Sequence, residues 1–273
     1  MGNRDKYRPF TGDDQTSIRL AEAPLDLVLC QLRWPTLAVL QTEEQFRSVV
    51  PELGAVLARG YPLQSETRSI NYLISPEGIA SNDAGTMYRW SSLDDSWHIT
   101  LTRQFATLYC SRYAGFDELQ ARLRFLINEL RGAIEIPFVD RVGVRYVNRL
   151  SEAGQTDSLS DLVKPEVLGY KGLPLAGQQA ALRESINQAT YTVGQAILIV
   201  RSGVMPPGQT PDPAVEAVTT ESWILDLDAS QEERLLFDPD RLIPRAGRLA
   251  DIAYDYFKYI VTGGYIKRFS GSD

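Results

Sequence analysis

Residues 139–150 read Val-Asp-Arg-Val-Gly-Val-Arg-Tyr-Val-Asn-Arg-Leu, and the fold turns on how this stretch alternates. A period of two is the signature of a β-strand with two unlike faces. Val142, Val144, Tyr146, Asn148 and Leu150 fall on one face, and Arg141, Arg145 and Arg149 on the other. In an extended chain, arginines four residues apart stand roughly 13 Å from one another. A face with three guanidinium groups requires water, carboxylates of a neighbouring strand, or an anionic ligand.

The chain around this strand alternates between strand-like and helix-like stretches. Pro24 introduces an apolar run over 25–34 that suits a central strand. Residues 42–59 read as a helix: Thr42 and Gln45 make a capping-box pattern, and Phe46, Val49, Val50, Leu53, Val56 and Leu57 recur at helical spacing up to Gly60. Pro51 either kinks that helix or begins a second one. A short strand over 69–74 is followed by a hairpin, 86–92 with 97–102, and a further strand over 104–112. Phe116, Leu119, Leu123, Leu126, Ile127 and Leu130 make one apolar stripe, and Gly132 ends that helix just before the arginine strand.

Residues 151–178 are rich in Gly, Ser, Asp and Pro and read as a linker or loop with one helical turn at 159–163. Two long strands follow, 181–193 and 195–203, turning at Gly194. A Pro-rich surface loop over 205–215 comes next, then an alternating strand over 222–228. A helix over roughly 242–262 carries Leu249, Ile252, Ala253, Tyr256, Phe257 and Ile260, and Gly263-Gly264 reads as its stop. The expected fold is α+β: an antiparallel sheet, as one sheet or as two similar α+β halves, with helices on one face and a C-terminal amphipathic helix. The expected organisation is a flexible arm over 1–23, halves over 24–150 and 179–269, and a linker over 151–178.

The chain has 273 residues and a formal net charge of −7. That balance argues against a general polyanion binder, whose affinity comes from summed Lys and Arg contacts to phosphate. Cys30 and Cys110 lie in apolar runs without a C-x-x-C partner, which predicts buried thiols and a cytoplasmic protein. No signal peptide or membrane-length apolar run is found, so no membrane association is expected.

The candidate anion- or partner-binding residues are Arg141, Arg145, Tyr146, Asn148 and Arg149. A competing expectation is a ladder from these arginines to Asp226 and Asp228, which lie two apart on one face of their strand. The same aspartates form a D-x-D pair suited to a hard cation, but no third acid stands at a telling distance, so no metal is expected. His98 is the only histidine, and no nucleophile motif adjoins it; no catalytic residue is assigned. No G-x-G-x-x-G or phosphate-loop motif occurs, and no cofactor is expected. Tyr259, Tyr265, Lys267, Arg268 and Phe269 suit either a protein contact or the edge of the core.

The signature Arg-x-Gly-x-Arg-Tyr-x-Asn-Arg at 141–149 resembles that of an uncharacterised, sporadically distributed bacterial protein family of about this length. Pro-Leu-x-x-Val-x-Cys-Gln-Leu-Arg-Trp-Pro at 24–35, Trp-Ile-Leu-Asp-Leu-Asp at 223–228 and the closing helix with Phe257 extend the resemblance over nearly the whole chain. A helical position that is often histidine in that family falls near Arg248 or Asp251, so any role of that histidine is lost here. The patchy distribution implies a defence or stress system. The expectation is a non-enzymatic interaction or scaffold protein with a protein partner or self-association. The alternatives are a nucleic-acid-binding protein using the arginine strand and a small-anion or metabolite sensor.

Overall fold

A computed structural model describes residues 9–10, 18, 20–75, 78–152, 155–156, 158–173, 180–212 and 214–271, with the side chains of all of these except 68–84. In chain order the elements are β1 (Leu25–Arg33), α1 (Glu43–Leu57), β2 (Leu63–Ser75), β3 (Gly78–Ser91), β4 (Trp97–Leu101), β5 (Phe105–Cys110), α2 (Phe116–Ala133), β6 (Phe138–Leu150), α3 (Leu159–Leu162), α4 (Pro165–Leu168), β7 (Ser185–Val193), β8 (Ala196–Met205), β9 (Ser222–Leu236), α5 (Pro239–Ile260) and α6 (Gly263–Phe269). The nine strands form one antiparallel sheet in the order β2-β3-β4-β5-β1-β6-β9-β8-β7, so the fold is α+β as expected.

Contacts divide the chain into two compact units that interleave along the sequence. One comprises Leu29–Gly143 and Glu232–Gly247. The other comprises Met1–Val28, Val144–Gln231 and Arg248–Asp273. Strands β1, β6 and β9 and helix α5 each run from one unit into the other.

In the first unit, α1 is held at its start by the reciprocal capping box of Thr42 and Gln45. The helix continues through Pro51 and buries Phe46, Val50, Leu53 and Leu57. Phe46 meets Tyr88 edge-on, and Arg122 of α2 stacks 4.5 Å over the ring of Trp97. Tyr88 pairs with Leu101, Trp90 with Ile99 and Trp97 with Cys110, so both helices lie on the same face of β3, β4 and β5. The opposite face carries Arg89, Ser91, His98, Thr100, Thr107 and Tyr109. Cys30 and Cys110 are buried free thiols, and burial pushes both up to about 12.

In the second unit, α5 contributes Leu249, Ala250, Ala253, Tyr256, Phe257 and Ile260 to the core. The helix begins at Pro239, ahead of the expected 242, because Asp238 Oδ1 accepts the backbone N–H of Asp240 at 2.8 Å and proline suits a first helical position. The arm expected over 1–23 lies largely outside the described residues. Where described, it is tied down: the N–H of Phe10 donates to Asp255 Oδ2, and that of Ile18 to Tyr254 Oη, both at 2.6 Å. The two helices on this side, α4 and α5, again share one face of the strands. Ser202 Oγ donates to Val167 O, and Tyr191 of β7 meets Tyr256 of α5 at 5.4 Å.

Gly263-Gly264 is not a terminal stop. Helix α5 ends at Ile260, Val261 bridges to Val163, and Thr262 caps α6 by accepting from the N–H of Tyr265. Tyr265 and Phe269 thereby enter the core instead of forming an exposed patch. Gly264 is dictated by close packing, since a Cβ there would stand 2.4 Å from the carbonyl oxygen of Asp161, whereas a Cβ on Gly263 meets nothing within 4 Å. Gly264→Ala should therefore cost about 2 kcal/mol by forcing backbone apart, while Gly263→Ala is close to neutral. Chemical denaturation of the two variants checks this, and equal stabilities would contradict the packing.

Candidate functional site

The arginine face of β6 is met by carboxylates of the same unit. Arg145 makes a two-pronged contact with Asp226 of β9, Nε to Oδ1 at 2.8 Å and Nη2 to Oδ2 at 3.0 Å. Its Nη1 donates to Asp212 Oδ2 at 2.5 Å. Arg201, which pairs with Asp226 in the β8–β9 register, donates Nη1 to Asp226 Oδ2 at 3.2 Å and Nε to Gln188 Oε1 on β7 at 2.9 Å. A polar row thus crosses four strands: Arg145, Asp226, Arg201, Gln188. Burial works against the charge of Arg145, but Asp226 and then Asp212 outweigh it, and its pKa rises above the ordinary arginine value. Two guanidinium groups and two carboxylates cancel.

One step along β6, Arg149 lies 3.0 Å from the Asp26 carboxylate and donates to the carbonyl of Glu216 at 2.6 Å and to Thr210 Oγ1 at 3.4 Å. Burial raises the pKa of Asp26, partly offset by Arg149. Asp212 and Thr210 belong to the Pro-rich loop that the sequence placed at the surface, and Glu216 directly follows it. Pro207, Gly208, Gln209 and Ala214 are exposed, and Met205 and Val215 are buried. Arg145 and Arg149 are the clips that hold it down.

The other sequence candidates part company. Arg141, in the other unit, folds over Gly143 and donates Nη1 to Gln31 Oε1 at 3.0 Å. Asn148 is buried on the opposite face of β6, its Nδ2 directed at the carbonyl of Leu225. Tyr146 shares that face by alternation, so neither stands with the arginines. Asp228 lines an open cavity of about 340 Å³ with Arg145, Arg201 and Asp226, closed on the apolar side by Ile186, Met205, Pro211 and Ile224. Among the described residues, no three side chains of the types that hold metal ions form a cluster.

His98 has an environment the sequence alone did not reveal. The β3–β4 register sets it opposite Ser91, whose Oγ lies 2.8 Å from Nδ1. Arg89 Nη2 is 2.9 Å from the same nitrogen and Asp95 Oδ1 is 3.6 Å from it. A serine–histidine–aspartate relay needs serine and aspartate on opposite ring nitrogens. Here all three lie nearest Nδ1, with Arg89 Nη2 also 3.5 Å from Nε2, so serine and aspartate do not flank the ring as that relay requires. Burial and then Arg89 lower its pKa, with Asp95 opposing.

The strand expected over 181–193 is β7, Ser185–Val193, and no candidate residue was placed on it. Among the described residues it is the last strand of the sheet, nine residues long, reading Ser-Ile-Asn-Gln-Ala-Thr-Tyr-Thr-Val. Its pairing with β8 is continuous from Ser185–Val204 to Val193–Ala196, without a bulge. It contains no charge and no proline, the devices by which edge strands ordinarily refuse further pairing. Ile186 and Tyr191 stand exposed on its two faces, 47% and 37%. The compositional signal was visible, but the edge position was not.

No known protein family matches this chain, and no curated protein is significantly similar to it.

Removing one partner of a buried ion pair leaves the other charged and desolvated. Asp226 is 1% exposed, so Asp226→Asn should cost about 3 kcal/mol by chemical denaturation, with part of the loss restored when Arg145→Met and Asp226→Leu are combined. A change below about 1 kcal/mol would be inconsistent with a buried network.

His98, as the sole histidine, offers a clean titration. With the folded pKa below 6.5, the unfolded chain binds the proton more readily, so stability falls as pH drops from 6.5 through the folded value. The imidazole proton resonance should titrate with a midpoint below 6.5, and His98→Asn should remove that part of the pH dependence. A midpoint at or above 6.5 would contradict the downward shift.

Proposed function

We propose that this protein is a non-enzymatic interaction component that docks an extended protein segment along the outer edge of β7. The observation that carries this reading is a nine-residue, uncharged, unbulged edge strand exposed on both faces. Such an edge presents a row of backbone donors and acceptors to any strand that adds to it. The arginine network supports the reading from the other side. Its charges are spent on holding β6, β8, β9 and the Pro-rich loop together, which suits a rigid platform. Binding of nucleic acid through the arginine strand loses its motive, because Arg145 and Arg149 already face Asp212, Asp226 and Asp26. A role in a bacterial defence or stress system belongs to the same proposal and rests on the resemblance alone. Among the described residues, no helix is long and apolar enough to cross a membrane.

A second reading rests on the cavity beside Arg201 and Asp228. Opposite charges on one wall and aliphatic side chains on the other fit a small zwitterion with an apolar tail. Branched-chain amino acids at about a hundredfold over their dissociation constant should stabilise the fold by about 2.7 kcal/mol, and Arg201→Met should abolish the shift in melting temperature. No shift at millimolar ligand would remove this reading.

For the docking edge, the decisive comparison is native mass spectrometry of protein purified from its own host, wild type against Thr190→Lys with Thr192→Lys. Both threonines are exposed, so the variant should melt within about 0.5 kcal/mol of wild type. A defined protein complex should be recovered with wild type and lost with the variant. Retention of the complex by the variant would place the interaction elsewhere.

A further inference from the structure

Resting on the reading of β7 as a docking edge, we infer that its occupant is a second copy of this chain, paired antiparallel about a two-fold axis through Ala189. Two sheets then continue as one.

The self-pairing that leaves no residue of the strand unmatched sets Ser185 opposite Val193 of the second copy, Ile186 opposite Thr192, Asn187 opposite Tyr191, Gln188 opposite Thr190, and Ala189 opposite itself. In an antiparallel pair, like charges directly opposite are destabilising. None occurs, because the strand has no charged residue. Just beyond it, Glu184 and Arg183 meet Gly194 and Gln195, again without a like pair. Gly194, at φ 63°, turns the chain from β7 into β8, so each copy's strand ends where the other's begins.

The side chains agree with the backbone. Ile186 of one copy stands beside Thr192 of the other, on the face where Thr192 already pairs with the exposed Ile197 of β8. On the reverse face Tyr191, half-exposed despite its contact with Tyr256, gains Asn187 as a cross-strand neighbour. A nine-residue antiparallel pair supplies on the order of nine backbone hydrogen bonds, about as many as a standard protein interface contains. Both copies present the same patch, so the contact closes on itself as a dimer. A strongly acidic or basic peptide would find no opposite charge on β7 to select it. An uncharged strand fits this edge without leaving a charge unmatched, and β7 is itself one.

Ala189 is exposed and gives the test, since the axis passes through it. Cys30 and Cys110 are buried, so Ala189→Cys introduces the one exposed thiol among the described residues. Sedimentation of the full chain should show a concentration-dependent dimer, and mild oxidation of Ala189→Cys should cross-link it. Ala189→Lys and Ala189→Glu should each weaken self-association about fivefold, and mixing the two should restore pairing. A monomer at every concentration, without a cross-link, overturns the self-pairing. If the host complex then contains a different protein and still depends on β7, the docking edge stands with another occupant. Protection, in a monomer at every dilution, of those 185–193 amides that point away from β8, by hydrogen exchange, would overturn both readings.

Discussion

One carboxylate governs the arrangement around the arginine strand. Asp226, 1% exposed, sits between the guanidinium groups of Arg145 and Arg201. An unpaired charge at that depth would cost several kcal/mol, so each group fixes the place of the others. Arg145 ties β6 to β9, Arg201 ties β9 to β8 and, through Gln188, to β7, and Asp212 brings the Pro-rich loop down onto the same cluster. The arginines that look from the sequence like an unmet demand for an anion have their demand met inside the unit. What they create is order in the strands that lead to the edge.

The two units use their sheet faces alike. Helices cover one face of each, with aromatic and aliphatic packing, and the other face carries polar side chains in rows. In the unit around Leu29–Gly143 the row is Arg89, Ser91, His98 and Tyr109; in the other it is Arg145, Asp226, Arg201 and Gln188. Within each row the hydrogen-bonded members constrain one another: Arg89 and Ser91 both reach His98, and Arg145 and Arg201 both reach Asp226. The histidine cluster illustrates how proximity differs from chemistry. Serine, histidine and aspartate stand together, yet serine and aspartate both lie nearest the same ring nitrogen, and burial and then Arg89 disfavour the charged ring. Their arrangement is that of a satisfied cluster.

Local pattern carried much of the fold. The capping box at Thr42 and Gln45, the stripe from Leu119 to Leu130, the β3–β4 hairpin and the turn at Gly194 were all readable, because each depends on residues a few positions apart. Elements whose form depends on distant partners were read short or misread. Strand β9 extends to Leu236 through Gln-Glu-Glu-Arg-Leu-Leu, a helix-favouring string held extended by its place in the sheet. Gly264 looks like a helix stop until the carbonyl of Asp161 is seen against it.

The sequence by itself determined that 139–150 is a strand, which of its faces bears arginine, and that helices with apolar stripes accompany it. These follow from side-chain periodicity, which is a property of neighbouring residues. It also contained the acceptor pair Asp226 and Asp228, without showing the two-pronged contact of Asp226 with Arg145. Tertiary structure decided that match between residues 81 apart in the chain, the descent of Asp212 onto the same guanidinium, and the position of β7 at the end of the sheet. Strand order and cross-strand register are set by packing over the whole core, and no short stretch of residues encodes which strand comes last in the order.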